Sequence, residues 1–194
     1  MRMAVTLEEA IQIVRDAFKT DYQFEKIFFI DSTRIADKGI AWFIPFRVNG
    51  YYGGGSQGCF VDKTDGDLMI TGSGLPISMY FTGFKLGVRY ETSNLIIKKV
   101  NDPDKTLELL LALHLKYIIP EEKDGVIWKT AQPFTDEMIL KKLKNLPCTF
   151  YNQNIFGAIR QFQRIVRSKD FEYEIIEVKH PPKGEYGENL LTYG

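Results

Sequence analysis

A chain of 194 residues fits one domain or two small ones. Its 25 basic and 25 acidic side chains cancel, which excludes a global field that would draw the whole chain to nucleic acid or a membrane surface. Hydrophobic residues at 44% and charged residues at 26% match an ordinary soluble globular protein, and no segment approaches the ~18 apolar residues of a membrane span.

The first predicted element is a helix. Thr6-Leu7-Glu8-Glu9 is a capping box: the Thr hydroxyl accepts from a free backbone N–H and the Glu reaches back. Leu7, Ala10, Ile11, Val14, Ala17 and Phe18 then share one face, and the helix is expected to end near Thr20. Phe24 to Ile30 and Ile35 to Val48 read as a long hairpin around Asp37-Lys38-Gly39. Trp42, Ile44, Phe46 and Val48 alternate and so share one face of its second arm. Pro45 cannot donate to a ladder, so it marks an edge or a bulge. Asp65-Gly66, between Cys59-Phe60-Val61 and Leu68-Met69-Ile70, predicts a hairpin with a two-residue type I′ turn. Pro76 starts a short helix over Ile77 to Phe84, and Leu95-Ile96-Ile97 is a candidate strand. The first unit is thus one helix across an antiparallel sheet.

Asn101-Asp102-Pro103-Asp104 is the candidate junction. A helix follows with Leu107, Leu110, Leu111 and Ile118 on one face, and Pro120 is expected to stop it. Val126-Ile127-Trp128 reads as a strand, with Trp128, like Trp42, a core residue. Thr135 caps a helix over Met138 to Leu146, ended by Pro147. Cys148 to Tyr151 is β-like. Ile155, Ile159, Phe162 and Val166 mark a further helix, and Phe171 to Val178 a closing strand. From His180-Pro181-Pro182 the chain reads as an extended tail. The expected class is α+β: residues 1–101 an antiparallel sheet with a packed N-terminal helix, 102–180 a second small helix/strand unit, and 181–194 the tail.

Few residues promise chemistry. Gly54-Gly55-Ser56-Gln57-Gly58 matches G-x-S-x-G, but a nucleophile elbow needs a helix after the Ser, and the residues here are strand-like. Only His114 and His180 could serve as base, and His114 reads as a core or boundary residue of a Leu-rich helix. Cys59 opens a strand, whereas a reactive Cys wants a helix N-terminus. Cys59 and Cys148 make no disulfide framework and read as reduced, half-buried thiols. Asp62, Asp65 and Asp67 lack the spacing of a calcium loop and suit a turn, so no metal and no cofactor is expected. Arg160, Arg164 and Arg167 lie at helical spacing opposite an apolar stripe, a face that tracks phosphates or is simply solvated. Tyr51 and Tyr52, in the glycine-rich loop with Ser56 and Gln57, read either as a contact site or as rings folded back over the sheet edge.

The N-terminal Thr-Leu-Glu-Glu-Ala helix, the strand Trp42-Phe43-Ile44-Pro45-Phe46, the hairpin Gly58-Cys59-Phe60-Val61-Asp62-Lys63-Thr64-Asp65-Gly66-Asp67, and Pro76-Ile77-Ser78-Met79-Tyr80 resemble together the immunity protein 35 family of bacterial polymorphic-toxin systems. The resemblance covers residues 4–88. It implies a non-catalytic protein that binds a cognate toxin and blocks it, with no catalytic residues to carry over. The expectation is therefore a cytoplasmic immunity protein, without a signal peptide, that binds neither membrane nor nucleic acid. Its contact residues would be Tyr51, Tyr52, Ser56, Gln57, Arg160, Arg164 and Arg167. The alternatives are a hydrolase using Ser56 or Cys59, or a nucleic-acid binder through the arginine face.

Overall fold

The structure is a computed structural model that describes residues 4–19, 28–48, 58–72, 74–89, 92–178 and 188–189. The chain is α+β, and it divides into two compact units, residues 1–86 and 87–194.

The first unit opens with helix α1 (Leu7–Phe18). Both arms of the predicted capping box form: Glu9 N–H donates to Thr6 Oγ1 at 3.2 Å, and Thr6 N–H donates to Glu9 Oε2 at 2.8 Å. Strands β1 (Phe28–Ile30), β2 (Ala36–Asp37), β3 (Ala41–Ile44) and β4 (Phe46–Val48) build the expected hairpin in two pieces. β1 pairs with β4 and β2 with β3, both antiparallel. The registers of the two pieces differ by three residues, and a 3-10 turn at Ser32–Arg34 takes up the excess. Pro45 sits at the break between β3 and β4, where its carbonyl accepts from Asp31 N–H at 3.0 Å.

β5 (Gly58–Asp62) and β6 (Leu68–Thr71) extend the sheet in the order β2-β3-β5-β6. Every residue of β5 is buried, so both faces of this sheet are covered. Ala10 and Val14 of α1 meet Ile44, Phe46, Cys59 and Val61 on one face. Helix α2 (Ile77–Lys85) lies on the other, where Phe60 packs against Phe43, Phe81 and Phe84 with ring centroids 5.0, 5.3 and 5.7 Å apart. One covering helix was expected, and there are two.

The turn at Asp65-Gly66 also differs from expectation. Only Gly66 has positive φ (80°), and Gly66 N–H donates to Asp62 O, closing a four-residue loop, Lys63 to Gly66. Asp62 Oδ1 accepts from Thr64 N–H and Asp65 Oδ1 from Asp67 N–H, so two of the three acids pin the loop.

The second unit is built on a three-stranded antiparallel sheet with β7 (Ser93–Val100) at its centre, between β10 (Cys148–Gln153) and β11 (Phe171–Glu177). This places β7 in the second unit, not the first. The Asn101 junction is a helix start, with Asp102 as N-cap and Pro103 at N1 of α3 (Pro103–Ala112). The same turn is tied to its own unit, because the N–H groups of Asn101 and Asp102 both donate to Asp170 O, at 2.7 and 3.0 Å. Helix α4 (Asp136–Leu143), capped by Thr135 as predicted, and α5 (Ile159–Arg167) complete the helices. Phe162 and Ile165 of α5 are buried, and the Phe162 ring stands edge-on to Tyr173 of β11 at 5.5 Å. Val166, expected on the buried stripe, is 40% exposed.

α3 ends well before Pro120. Almost every residue from Leu107 to Leu115 is apolar, so periodicity gave no stop. His114 provides it: its φ of 51° is the left-handed C-terminal conformation that glycine usually takes, and its N–H donates to Leu111 O. The chain then turns into β8 (Lys116–Lys123), which contains Ile118 and Pro120, and returns as β9 (Val126–Pro133). Asp124 (φ 56°) and Gly125 (φ 73°) join them with both central residues at positive φ, the two-residue turn that had been expected at Asp65-Gly66. β12 (Glu188–Asn189), within the segment expected to be an extended tail, pairs parallel with β8 at Tyr117 and Ile118.

Candidate interaction surfaces

Tyr51, Tyr52, Ser56 and Gln57 lie outside the described residues. After them in sequence the chain enters β5 at Gly58, so the G-x-S-x-G segment leads into a strand and not the helix a nucleophile elbow requires. Cys59 is the second residue of that strand. It is fully buried against α1, and burial pushes its thiol far above the ordinary range. A thiol held neutral in an apolar cluster is not a nucleophile. Both cysteines are buried, and neither is in a disulfide.

The arginine stripe is described in full. Arg160, Arg164 and Arg167 all lie exposed on one side of α5, while Ile159, Phe162 and Ile165 fix the other side in the core. Arg164 Nη2 lies 3.5 Å from Glu108 Oε1 on α3, an exposed pair worth little by itself. The pair does make the face mixed in charge, with an acid beside Arg164.

His114 is exposed at the end of α3 and borders a cleft of about 260 Å³, with Lys116, Gln153 and Asn154 among its lining residues. Much of the polar lining is already used by the chain. Gln153 is 2% exposed; its Oε1 accepts from Lys116 N–H at 2.7 Å and its Nε2 donates to Lys116 O and Tyr151 O at 2.8 and 2.6 Å. Asn154 Oδ1 accepts from Gly157 N–H at 2.7 Å.

The two tryptophans have different fates. Trp42 is half-buried, donates from Nε1 to Val5 O at 2.9 Å and carries Lys63 Nζ 4.1 Å from its ring centroid. Trp128, expected in the core, is 59% exposed, beside Val126 at 53% and Ile127 at 67%. Sequence reasoning missed this surface by treating a β-rich aromatic triplet as interior. The Asp124-Gly125 turn just before it was the available signal that the triplet sits at the tip of a hairpin.

Among the described residues, no group of His, Cys, Asp and Glu side chains is placed to hold a metal, and no helix is long and apolar enough to cross a membrane. No protein-family model, no curated protein and no solved structure matches this chain.

Proposed function

We propose that the chain is an immunity protein that binds a cognate toxin and neutralises it by protein–protein contact in the cytoplasm. The observation that carries this reading is the α5 face. It presents three arginines, at positions 160, 164 and 167, on a helix anchored by Ile159, Phe162 and Ile165. Arginine is a preferred anchor of protein interfaces, since its planar fork binds carboxylates bidentately and its stem covers apolar area. A rigid helix presents the groups without a further ordering cost. Glu108 beside Arg164 favours a protein partner over a polyphosphate, which it would repel.

The test is affinity purification of the tagged chain from its host, followed by co-expression. The expected result is a stoichiometric protein that arrests growth when expressed alone and is silenced by this chain. A variant carrying Arg160→Glu, Arg164→Glu and Arg167→Glu should keep its fold and lose the rescue. Purification without a protein partner, or with nucleic acid lost steeply as salt rises, would overturn the reading in favour of the arginine face as a phosphate tracker.

A further inference from the structure

The cleft of about 260 Å³ beside His114 is bounded by the end of one helix, the start of another and a distorted strand. Leu113 is the C-cap of α3 and Ala158 the N-cap of α5, so a negative and a positive helix end meet there and offset each other. The strand is β10. Its register against β7 shifts between Phe150 and Gln153, and Asn152, inside the shift, has a φ of 53° and donates its N–H to Asn94 Oδ1 at 2.9 Å. Such an irregularity re-aims the side chains beside it. The next residue is Gln153, whose amide holds both the N–H and the C=O of Lys116. The backbone that carries the Lys116 side chain is therefore fixed before any ligand arrives, which lowers the cost of binding one.

Most of the polar backbone around the cleft is already paired. The N–H groups of Leu113, His114, Lys116, Gly157 and Ala158 all donate within the chain. Asn154 Oδ1 accepts from Gly157 N–H, so the other function of that amide is the Nδ2 donor. Lys116 adds an ammonium group, and His114 an imidazole that carries at least one N–H in either protonation state. No Asp or Glu is among the lining residues, and Leu113, Leu115 and Ala158 supply apolar contact. We propose that the cleft binds a small organic carboxylate, with its oxygens held by Lys116, His114 and Asn154 and its apolar body laid against Leu113, Leu115 and Ala158. An amine would meet basic side chains and no acid. A phosphate would want converging backbone N–H groups, and those are spent. At ~30 Å³ per water-sized group, 260 Å³ holds a body of about nine non-hydrogen atoms. His114, at φ 51°, stands where glycine would cost less, and the imidazole is what the position gains. The site draws on none of Arg160, Arg164 and Arg167, so it stands or falls apart from the immunity reading.

The experiment is titration of the full chain followed by amide NMR spectra. Benzoate is the probe, because it joins an apolar ring of the right size to one carboxylate. Benzamide and benzamidinium share its shape, the first neutral and the second cationic. Benzoate should give saturable shifts at the amides of Leu113 to Lys116 and Gln153 to Ala158. Benzamide should bind about tenfold more weakly or worse, for want of charge-assisted hydrogen bonds, and benzamidinium should not bind. Lys116→Met keeps the stem, removes the charge and should weaken benzoate by a similar factor. His114→Gly separates binding from folding: glycine suits the left-handed φ, so the melting temperature should hold or rise while benzoate binding falls. Equal affinity for benzoate and benzamide would overturn the proposal, by showing an apolar slot indifferent to charge. Tighter binding of inorganic phosphate than of benzoate would overturn the carboxylate assignment. Shifts that saturate only along Arg160 to Arg167 would overturn it by placing the anion on the arginine face. A cleft silent to both benzoate and the more flexible hexanoate would overturn it outright.

Discussion

Ser93 and Gln153 are register partners across β7 and β10, and they show the two fates of a buried polar group. Gln153 has its amide satisfied at both ends and thereby satisfies the backbone of Lys116. Ser93 is 0% exposed, and its hydroxyl has no hydrogen-bond partner among the described residues. Gln153→Ala should cost about 2 kcal/mol, because it strands a backbone donor and acceptor inside the protein. Ser93→Ala should be neutral or stabilising by about 1 kcal/mol, because it removes a group that lost its water for nothing. Urea titration of the two variants decides it; equal losses would refute the account. Cys59 gives a prediction in pH. Its folded pKa is raised by burial, so the folded chain keeps the proton after the unfolded chain has released it. Its contribution is fully present below the ordinary thiol pKa of about 9 and falls by about 1.4 kcal/mol per pH unit above it. Cys59→Ala should remove that part of the alkaline slope in unfolding experiments run from neutral to alkaline pH, whatever it costs in packing.

At the scale of elements, the two Asp-Gly pairs are the informative comparison. They are identical as dipeptides, yet only Asp124-Gly125 makes the turn with both residues at positive φ. At Asp65-Gly66 the carboxylates of Asp62 and Asp65 offer the backbone side-chain acceptors, and the chain takes a wider loop. Asp124→Val should therefore destabilise the hairpin by about 1 kcal/mol or more, since a β-branched residue is poorly accommodated at left-handed φ. Asp65→Ala loses only its bond to Asp67 N–H. Amide exchange at Lys123 and Val126 should accelerate in the first variant alone. Elements with a local cause were legible: the Thr6 and Thr135 caps, and the break at Pro45. Elements decided by tertiary partners were not. Pro120 looked like a helix stop and is a strand residue at a position that needs no donor. His114 ends α3 without the glycine that would have announced it. The candidate site was legible only as the arginine stripe; the exposed hairpin tip was read as interior, because a strand's burial depends on neighbours the local pattern does not name.

At the scale of the whole molecule, the Asn101-Asp102-Pro103 turn had every local mark of a linker, and its backbone bonds to Asp170 make it part of the second unit. The division at residues 86 and 87 follows from which strands pair, a non-local property. Each unit has an aromatic centre of its own. Phe60 is 0% exposed among Phe43, Phe81 and Phe84 in the first. Phe150 is 0% exposed in the second, edge-on to Phe134 at 5.3 Å. Truncating either to Ala should cost about 3–5 kcal/mol through lost transfer energy and the cavity left behind. Because the two cores are built from separate residues, each loss should stay in its own unit. In hydrogen exchange on the full chain, Phe60→Ala should raise rates along β3, β5 and β6 and leave β7, β10 and β11 at wild-type protection. Phe150→Ala should do the reverse. If either substitution loosened both sheets equally, the units would be one cooperative structure, and the division would describe geometry without describing stability.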